Sequence, residues 1–335
     1  MKEHDITLDL ESACELALHA LAGAGASDAM AQSLAAATVR AEARGQSGVG
    51  FAHLVDYLES LRAGRIHGAA IPRRLDPAPA LIAADADAGT AQLAFDGVFE
   101  DFVDKAHRFG VALFSLKNSY TTGELGDYVH RLAGAGLVGL AMTNGPALIT
   151  VPGSKTPVYC TNPLAFAAPR ANGPPLLIDQ SSSATAFVNI REAAARGESI
   201  PDGWAIDADG HPTTDARAAL NGALLAFGGT RGANIALMVE IMAAAGGGNW
   251  SLDAPDFKSG DRTPSAGLTV VAFSPSLLDP DFENRLAAQL DRLSGKHGIH
   301  IPGEIKAERA ESAQTEGLRL PLALVSRISA FARKT

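Results

Sequence analysis

The hydrophobic pattern of this chain changes period twice, and that order constrains the fold more than any single motif. Over the first ~70 residues apolar side chains recur at helical spacing. From about residue 79 short apolar runs alternate with helix-like segments, and the last ~60 residues return to helical spacing. The order helical, α/β, helical predicts that the two chain ends pack together beside a central α/β domain.

Local signals place the elements. Ser12 to His19 lies in an amphipathic run that ends at the Gly-rich stretch Ala22–Gly25. Ser27 is an N-cap for a second helix, with Asp28 in its first turn and a stop near Gly45. A third helix starts near Gly50. Phe51, Leu54, Leu58 and Leu61 form its apolar stripe, Gly64 closes it, and His53, Asp56, Tyr57 and Ser60 fall on the other side. Strand-like runs are 80–82, 111–116, 138–143, 164–168, 176–178 and 267–274. Residues 199–212 read as an irregular excursion, punctuated by Pro201, Gly203, Gly210 and Pro212. An apolar helix is predicted over 232–245, and a break at Pro302-Gly303 within the last helices.

Composition excludes several classes. A net charge of -9 argues against a nucleic-acid or anionic-membrane surface. The most apolar stretch, 137–151, is interrupted by Thr143, Asn144 and Pro146 and is too short to span a bilayer. Residues Met1 to Asp5 lack the order of a signal peptide, so a cytoplasmic protein is expected. Cys14 and Cys160 make neither a disulfide framework nor a Cys-based zinc site. No Walker loop, H-E-x-x-H or G-x-S-x-G occurs, no G-x-G-x-x-G follows a strand and opens a helix in a βαβ unit, and no His pair has i,i+4 spacing on a helix, so no metal is expected.

Four segments carry more polar and glycine residues than a fold needs. Arg44 to Gly50 leads into the His53 helix; it reads as a ligand-approach loop or as a plain helix entry. Asn118 to Gly126 places hydroxyls and glycines at a strand-to-helix turn, as a phosphate cradle or as an ordinary Thr-capped start. Tyr159 to Pro163 and Ile178 to Ser183 gather small donors that are costly to bury without a partner. Phe227 to Gly232 sets Arg231 on a glycine hinge, suited to a phosphate or carboxylate or else simply a surface arginine.

Together these segments resemble the malate/L-lactate dehydrogenase superfamily that lacks a Rossmann fold. The match is densest over 143–169, 178–183, 200–205, Asp207, Gly210, 212–215 and 227–240, and looks nearest the branch that reduces Δ1-piperideine-2-carboxylate and Δ1-pyrroline-2-carboxylate. The resemblance implies a non-Rossmann mixed-sheet central α/β domain over 76–277 that binds the cofactor. A helical region, 1–75 plus 278–335, would serve substrate binding and dimerisation. It implies a homodimer reducing a small 2-imino or 2-oxo acid with NAD or NADP, leaning to NADPH. Cofactor contacts are implied for Thr121, Thr122, Gly123, Glu124, Leu125, Asp179, Gln180, Ser181, Thr230, Arg231 and Gly303, and substrate contacts for Gly48, Tyr57 and Thr161.

The departures matter as much. The family's Ser-His-Gly falls on Gly48, Val49 and Gly50, its following arginine on His53 and its supporting aspartate on Asn189. Its cofactor histidine falls on Thr121 and its lysine on Arg231. Neither Val49 nor Asn189 serves the usual proton delivery. His53 is then the expected acid, oriented by Asp56 or Tyr57, because an imidazole suits proton delivery alongside hydride transfer. Two alternatives stay open on the sequence: non-redox elimination or isomerisation on a small carboxylate in the same fold, and a non-catalytic dimer.

Overall fold

The computed structural model describes residues 5–332; Met1 to His4, on which part of the leader reading rests, lie outside the described residues, as do 333–335. The first helix, Leu10–Ala24, is capped by Asp9, which accepts from Ser12 N, and ends at Gly25 in the left-handed region. Ser27 caps Asp28–Ala43 as expected, accepting from Met30 N at 3.4 Å. The third helix is Phe51–Arg62, with its predicted stripe fully buried.

The chain ends meet as the pattern requires. Strand Asp5–Leu8 pairs antiparallel with Leu318–Pro321, and the helix Leu322–Ala332 lies on Leu10–Ala24. Both short strands escaped the helical reading because four residues are too few to show a period. The contact is close: a Cβ at Gly23 would lie 2.2 Å from the Phe331 carbonyl oxygen. Here the glycine and alanine excess lets helix backbones touch. Leu21, Leu34, Leu54, Leu58, Leu320 and Ile328 fill the core between them. Truncating one of these leucines to Ala costs about 2–5 kcal/mol.

The central sheet has seven strands in the spatial order Arg73–Ala78, Leu81–Asp85, Val111–Ser119, Ala266–Phe273, Val138–Thr143, Leu164–Ala168 and Leu176–Gln180. One neighbouring pair, Leu81–Asp85 with Val111–Ser119, is parallel, and the other five are antiparallel. A doubly wound nucleotide fold needs successive parallel strands with crossover helices, so this mixed sheet is of another kind. Helices Phe99–Phe109 and Leu125–Gly134 cover it around Phe95, Phe102, Phe114 and Tyr128.

Residues 199–212 are not wholly irregular. Ala205–Ile206 and Pro212–Thr213 join Ala223–Leu225 and Ile149–Thr150 in a second, four-stranded sheet. Its two-residue strands carry no alternation for a sequence to display. The sheet packs against helix Phe187–Arg196 through a separate core of Ile149, Ile190, Ala205 and Leu224. The predicted apolar helix is Thr230–Ala244.

Candidate active site

The entry to helix Phe51–Arg62 is organised by Glu42. Its carboxylate accepts from Phe51 N at 2.9 Å and from Ser47 Oγ at 2.6 Å, replacing the side-chain cap that Gly50 cannot supply. This fixes Gly48 and Val49 in a short 3-10 turn ahead of His53.

His53 and Asp56 lie one turn apart, with Nδ1 3.1 Å from Oδ2. An ionised carboxylate only accepts, so Nδ1–H donates and Nε2 stays free for a second partner. Asp56 also takes Lys258 Nζ on its other oxygen at 2.9 Å. Burial pushes the Asp56 carboxyl up, but the hydrogen bonds from His53 and Lys258 outweigh it and hold the group at about 2. Tyr57 stacks edge-on against His53, with ring centroids 4.8 Å apart.

The helix is buried on more than its apolar stripe. Tyr57 and Ser60, which the spacing puts on the polar side, are both buried. Gln92 Nε2 donates to the Tyr57 hydroxyl at 3.0 Å, and Ser60 Oγ donates to the Tyr120 hydroxyl at 2.8 Å. Tertiary contacts therefore leave His53 and Asp56 as the part-exposed polar strip of that face.

The T-N-P segment is pinned on both sides of Thr161. Asn162 Nδ2 donates to Glu240 Oε2 and to the Ala236 carbonyl, each at 2.8 Å. Ser251 Oγ donates to the same Glu240 oxygen at 2.7 Å and accepts from Cys160 N at 3.0 Å. Thr161 itself stays partly exposed, and its carbonyl accepts from Ser182 N at 2.8 Å. Phe227 N then donates to the Ser182 carbonyl at 3.0 Å, which ties the strand end before the Gly228–Gly229 hinge to the Ser181–Ser183 turn; Arg231, beyond the hinge, is exposed.

Where a histidine and an aspartate are expected by resemblance, neither an imidazole nor a carboxylate stands. A Cβ at Gly48 would lie 3.7 Å from Val188 Cγ1. Val49 lines a cavity of about 10 Å3 with Leu34, Thr38, Tyr57, Gln92, Glu124 and Asp127. Asn189 does not face a base; its Nδ2 donates to Thr185 Oγ1 at 2.9 Å and holds the 181–185 turn.

The remaining expected contacts converge on one corner. Asp179 Oδ2 accepts from Gly126 N at 2.8 Å, and Lys306 Nζ lies 3.5 Å from Glu124 Oε1 and 4.0 Å from Asp179 Oδ2. Beneath it, Arg44 bridges Glu124 at 2.7 Å and Asp127 at 2.6 Å, while Arg40 takes Asp127 at 2.8 Å. Burial pushes Asp127 up, yet the two arginines hold it at about 2. Burial wins at Glu124 and Asp179, raising both carboxyls despite Arg44 and Lys306. Thr122, Gly123 and Leu125 form the loop above this network. Gly123 has φ +67, and a Cβ there would meet Gln92 Nε2 at 2.7 Å. Thr121 is half-buried and Gln180 exposed beside it.

These groups fit a dinucleotide. Helices Thr230–Ala244 and Glu304–Glu316 both start at a glycine, Gly229 and Gly303, with no side-chain cap. Arg231 and Lys306 stand in their first turns, where a phosphate would meet a cation beside the positive end of the helix. Asp179 and Glu124, poor neighbours for phosphate, suit ribose hydroxyls and the carboxamide instead.

Comparison with known proteins agrees with this architecture. Residues 8–329 match the model of the malate/L-lactate dehydrogenase family. The chain belongs to that family. It is 36% identical to a Δ1-pyrroline-2-carboxylate reductase of Pseudomonas fluorescens, over 96% of this chain and 98% of the relative. It is 34% identical to a (2R)-3-sulfolactate dehydrogenase (NADP(+)) of Chromohalobacter salexigens, over 97% and 98%. The crystal structure of Δ1-piperideine-2-carboxylate reductase from Pseudomonas syringae pv. tomato superposes with a TM-score of 0.93 at 31% identity, covering 97% and 99%. The protein is thus an oxidoreductase with the mixed-sheet fold of this family.

His53, Thr161 and the cofactor segments were legible as local motifs. The basic residues after Glu304, Lys306 first among them, belong to the resemblance, whereas Lys258, Gln92 and Glu42 carry no such signal. Lys258 lies in a polar loop, and nothing in its neighbours signals that it reaches residue 56.

Proposed function

We propose that this enzyme reduces a cyclic 2-imino acid, of the Δ1-pyrroline-2-carboxylate or Δ1-piperideine-2-carboxylate type, to the saturated amino acid with NADPH. The observation that carries this reading is that Gly48 and Val49 offer no proton donor and Asn189 is bonded to Thr185, while His53 is held by Asp56 on the part-exposed strip of its helix. A ketone needs a proton delivered as hydride arrives. A protonated imine already carries its charge and needs it only kept in place.

The nicotinamide supplies the hydride. In the proposed cycle a C–H bond forms at C2 of the substrate, and the C=N π pair moves onto nitrogen, which retains its proton as an amine. His53, held by Asp56 through Nδ1, presents Nε2 to the imine nitrogen and keeps it protonated. Thr161 Oγ1 donates to the substrate carboxylate. Glu240 and Ser251 fix that hydroxyl by clamping Cys160 and Asn162. Arg231 and Lys306 meet cofactor phosphates, and the NADP(+) named for one relative supports NADPH over NADH. The names of the relatives given above support redox chemistry over elimination or isomerisation.

The same reading has the chain acting as a cytoplasmic homodimer. Leu237, Met238 and Ile241 stand exposed on helix Thr230–Ala244, with Trp250 and Leu252 exposed close by in the chain. Both cysteines are unpaired, which supports a reducing compartment; among the described residues no helix is long and apolar enough to cross a membrane.

NADPH oxidation at neutral pH tests the reading, with Δ1-pyrroline-2-carboxylate, Δ1-piperideine-2-carboxylate, pyruvate and oxaloacetate as substrates. Expected is turnover of an imine with kcat/KM about 100-fold or more above either oxo acid. NADPH binding without turnover of either imine overturns it.

A further inference from the structure

We infer that Lys258 is the cation that anchors the substrate carboxylate. The inference rests on the imino-acid reading above and names the residue that holds the anion. Lys258 comes from the loop after Ser251, far along the chain from the His53 helix, and its ammonium lies 2.9 Å from Asp56 Oδ1. Asp56 thereby bridges a lysine and a histidine, each on its own oxygen. An ammonium has three donors and Asp56 occupies one, so two remain for an incoming carboxylate.

The loop is seated rather than loose. Phe257 stacks edge-on against Tyr120, with centroids 5.9 Å apart, and its carbonyl accepts from the Tyr120 hydroxyl at 3.1 Å. Arg65 holds the Gly260 carbonyl at 3.1 Å. Gly145 is caught between Phe257 Cζ and Cys160 Sγ, so the same loop touches the segment that carries Thr161. Through Phe257 the loop therefore packs both on the segment that carries Thr161 and, by way of the buried Tyr120 and Tyr57 rings, on the His53 helix.

Other cations nearby are committed. Arg44 and Arg40 are spent on Glu124 and Asp127, Arg65 on Ser60 and Gly260, and Lys306 stands at the cofactor corner. Half exposed, Lys258 is free to swing from Asp56 to share the substrate anion.

Titration of the whole protein with pyrrole-2-carboxylate, a planar ring carboxylate that cannot be reduced this way, tests the assignment by calorimetry. Lys258→Gln is expected to weaken binding about tenfold or more and Lys258→Arg to recover most of it. Pyrrole-2-carboxamide, which has no charge, is expected to bind wild type and Lys258→Gln alike. In turnover the loss should fall on KM, with kcat nearly kept. Equal carboxylate affinity in wild type and Lys258→Gln overturns the inference, as does absence of carboxylate binding by the wild type. Charge-dependent binding through Lys258 without imine reduction would instead overturn the proposed reaction and leave the anchor standing.

Discussion

Gly48 faces Val188, with space for a Cβ at position 48 that would lie 3.7 Å from the valine Cγ1. Two segments well separated in sequence thus close an apolar contact where the family resemblance expects a serine beside a histidine–aspartate pair. The pocket differs there by more than one substitution: Val49 and Asn189 stand in the same neighbourhood, and Asn189 has turned to Thr185.

Restoring the set together should shift the substrate preference. The triple variant Gly48→Ser, Val49→His, Asn189→Asp is expected to raise kcat/KM on oxo acids about tenfold or more relative to imines, since a positioned acid contributes 10²–10⁴-fold. Val49→His alone should do far less, because no carboxylate orients the new ring. Paired steady-state kinetics on pyruvate and Δ1-pyrroline-2-carboxylate would show it; an unchanged ratio counts against the reading.

His53→Ala is expected to lower kcat/KM for the imine about 100-fold. Asp56→Asn should cost less but move the pH profile, because the amide no longer stabilises a protonated ring. Unchanged kcat/KM in His53→Ala would remove His53 from the mechanism.

Asp127 makes stability acid-sensitive. Its pKa drops from 3.8 to about 2 on folding, so the fold favours the ionised form. That contribution is complete above about pH 4 and is lost as pH falls toward 2. Asp127→Asn should cost about 2–3 kcal/mol at pH 7, read from urea midpoints, with the gap to wild type narrowing below pH 3. A gap that stays constant with pH would rule out this ion-pair origin.

Ile241→Glu and Met238→Glu place a charge on the exposed apolar face of helix Thr230–Ala244. If that face joins two copies, sedimentation should show a dimer for wild type and a monomer for the double variant, with little change in folded helix content. A double variant that sediments as wild type places the dimer contact elsewhere.

Much of the scaffold was legible locally. The cap Ser27 with Asp28 in the first turn, the stripe Phe51–Leu54–Leu58–Leu61 and the strand run 138–143 follow from period and end chemistry within a few residues. Strands of two to four residues, such as Ala205–Ile206 and Asp5–Leu8, gave no period to read and exist through their partners. The burial of Tyr57 and Ser60 likewise depends on Gln92 and Tyr120 arriving from elsewhere.

The residues themselves determined the alternation of helical ends with an α/β middle, the helix entries, and the placing of His53 and Asp56 one turn apart on the third helix, because these depend on neighbours a few bonds away. Only the tertiary structure decided that one parallel strand pair sits in an otherwise antiparallel sheet, that Val188 closes on Gly48, and that Lys258 reaches Asp56. Those contacts join segments far apart in the chain. They are set by how the cores pack rather than by any local preference of the residues that make them.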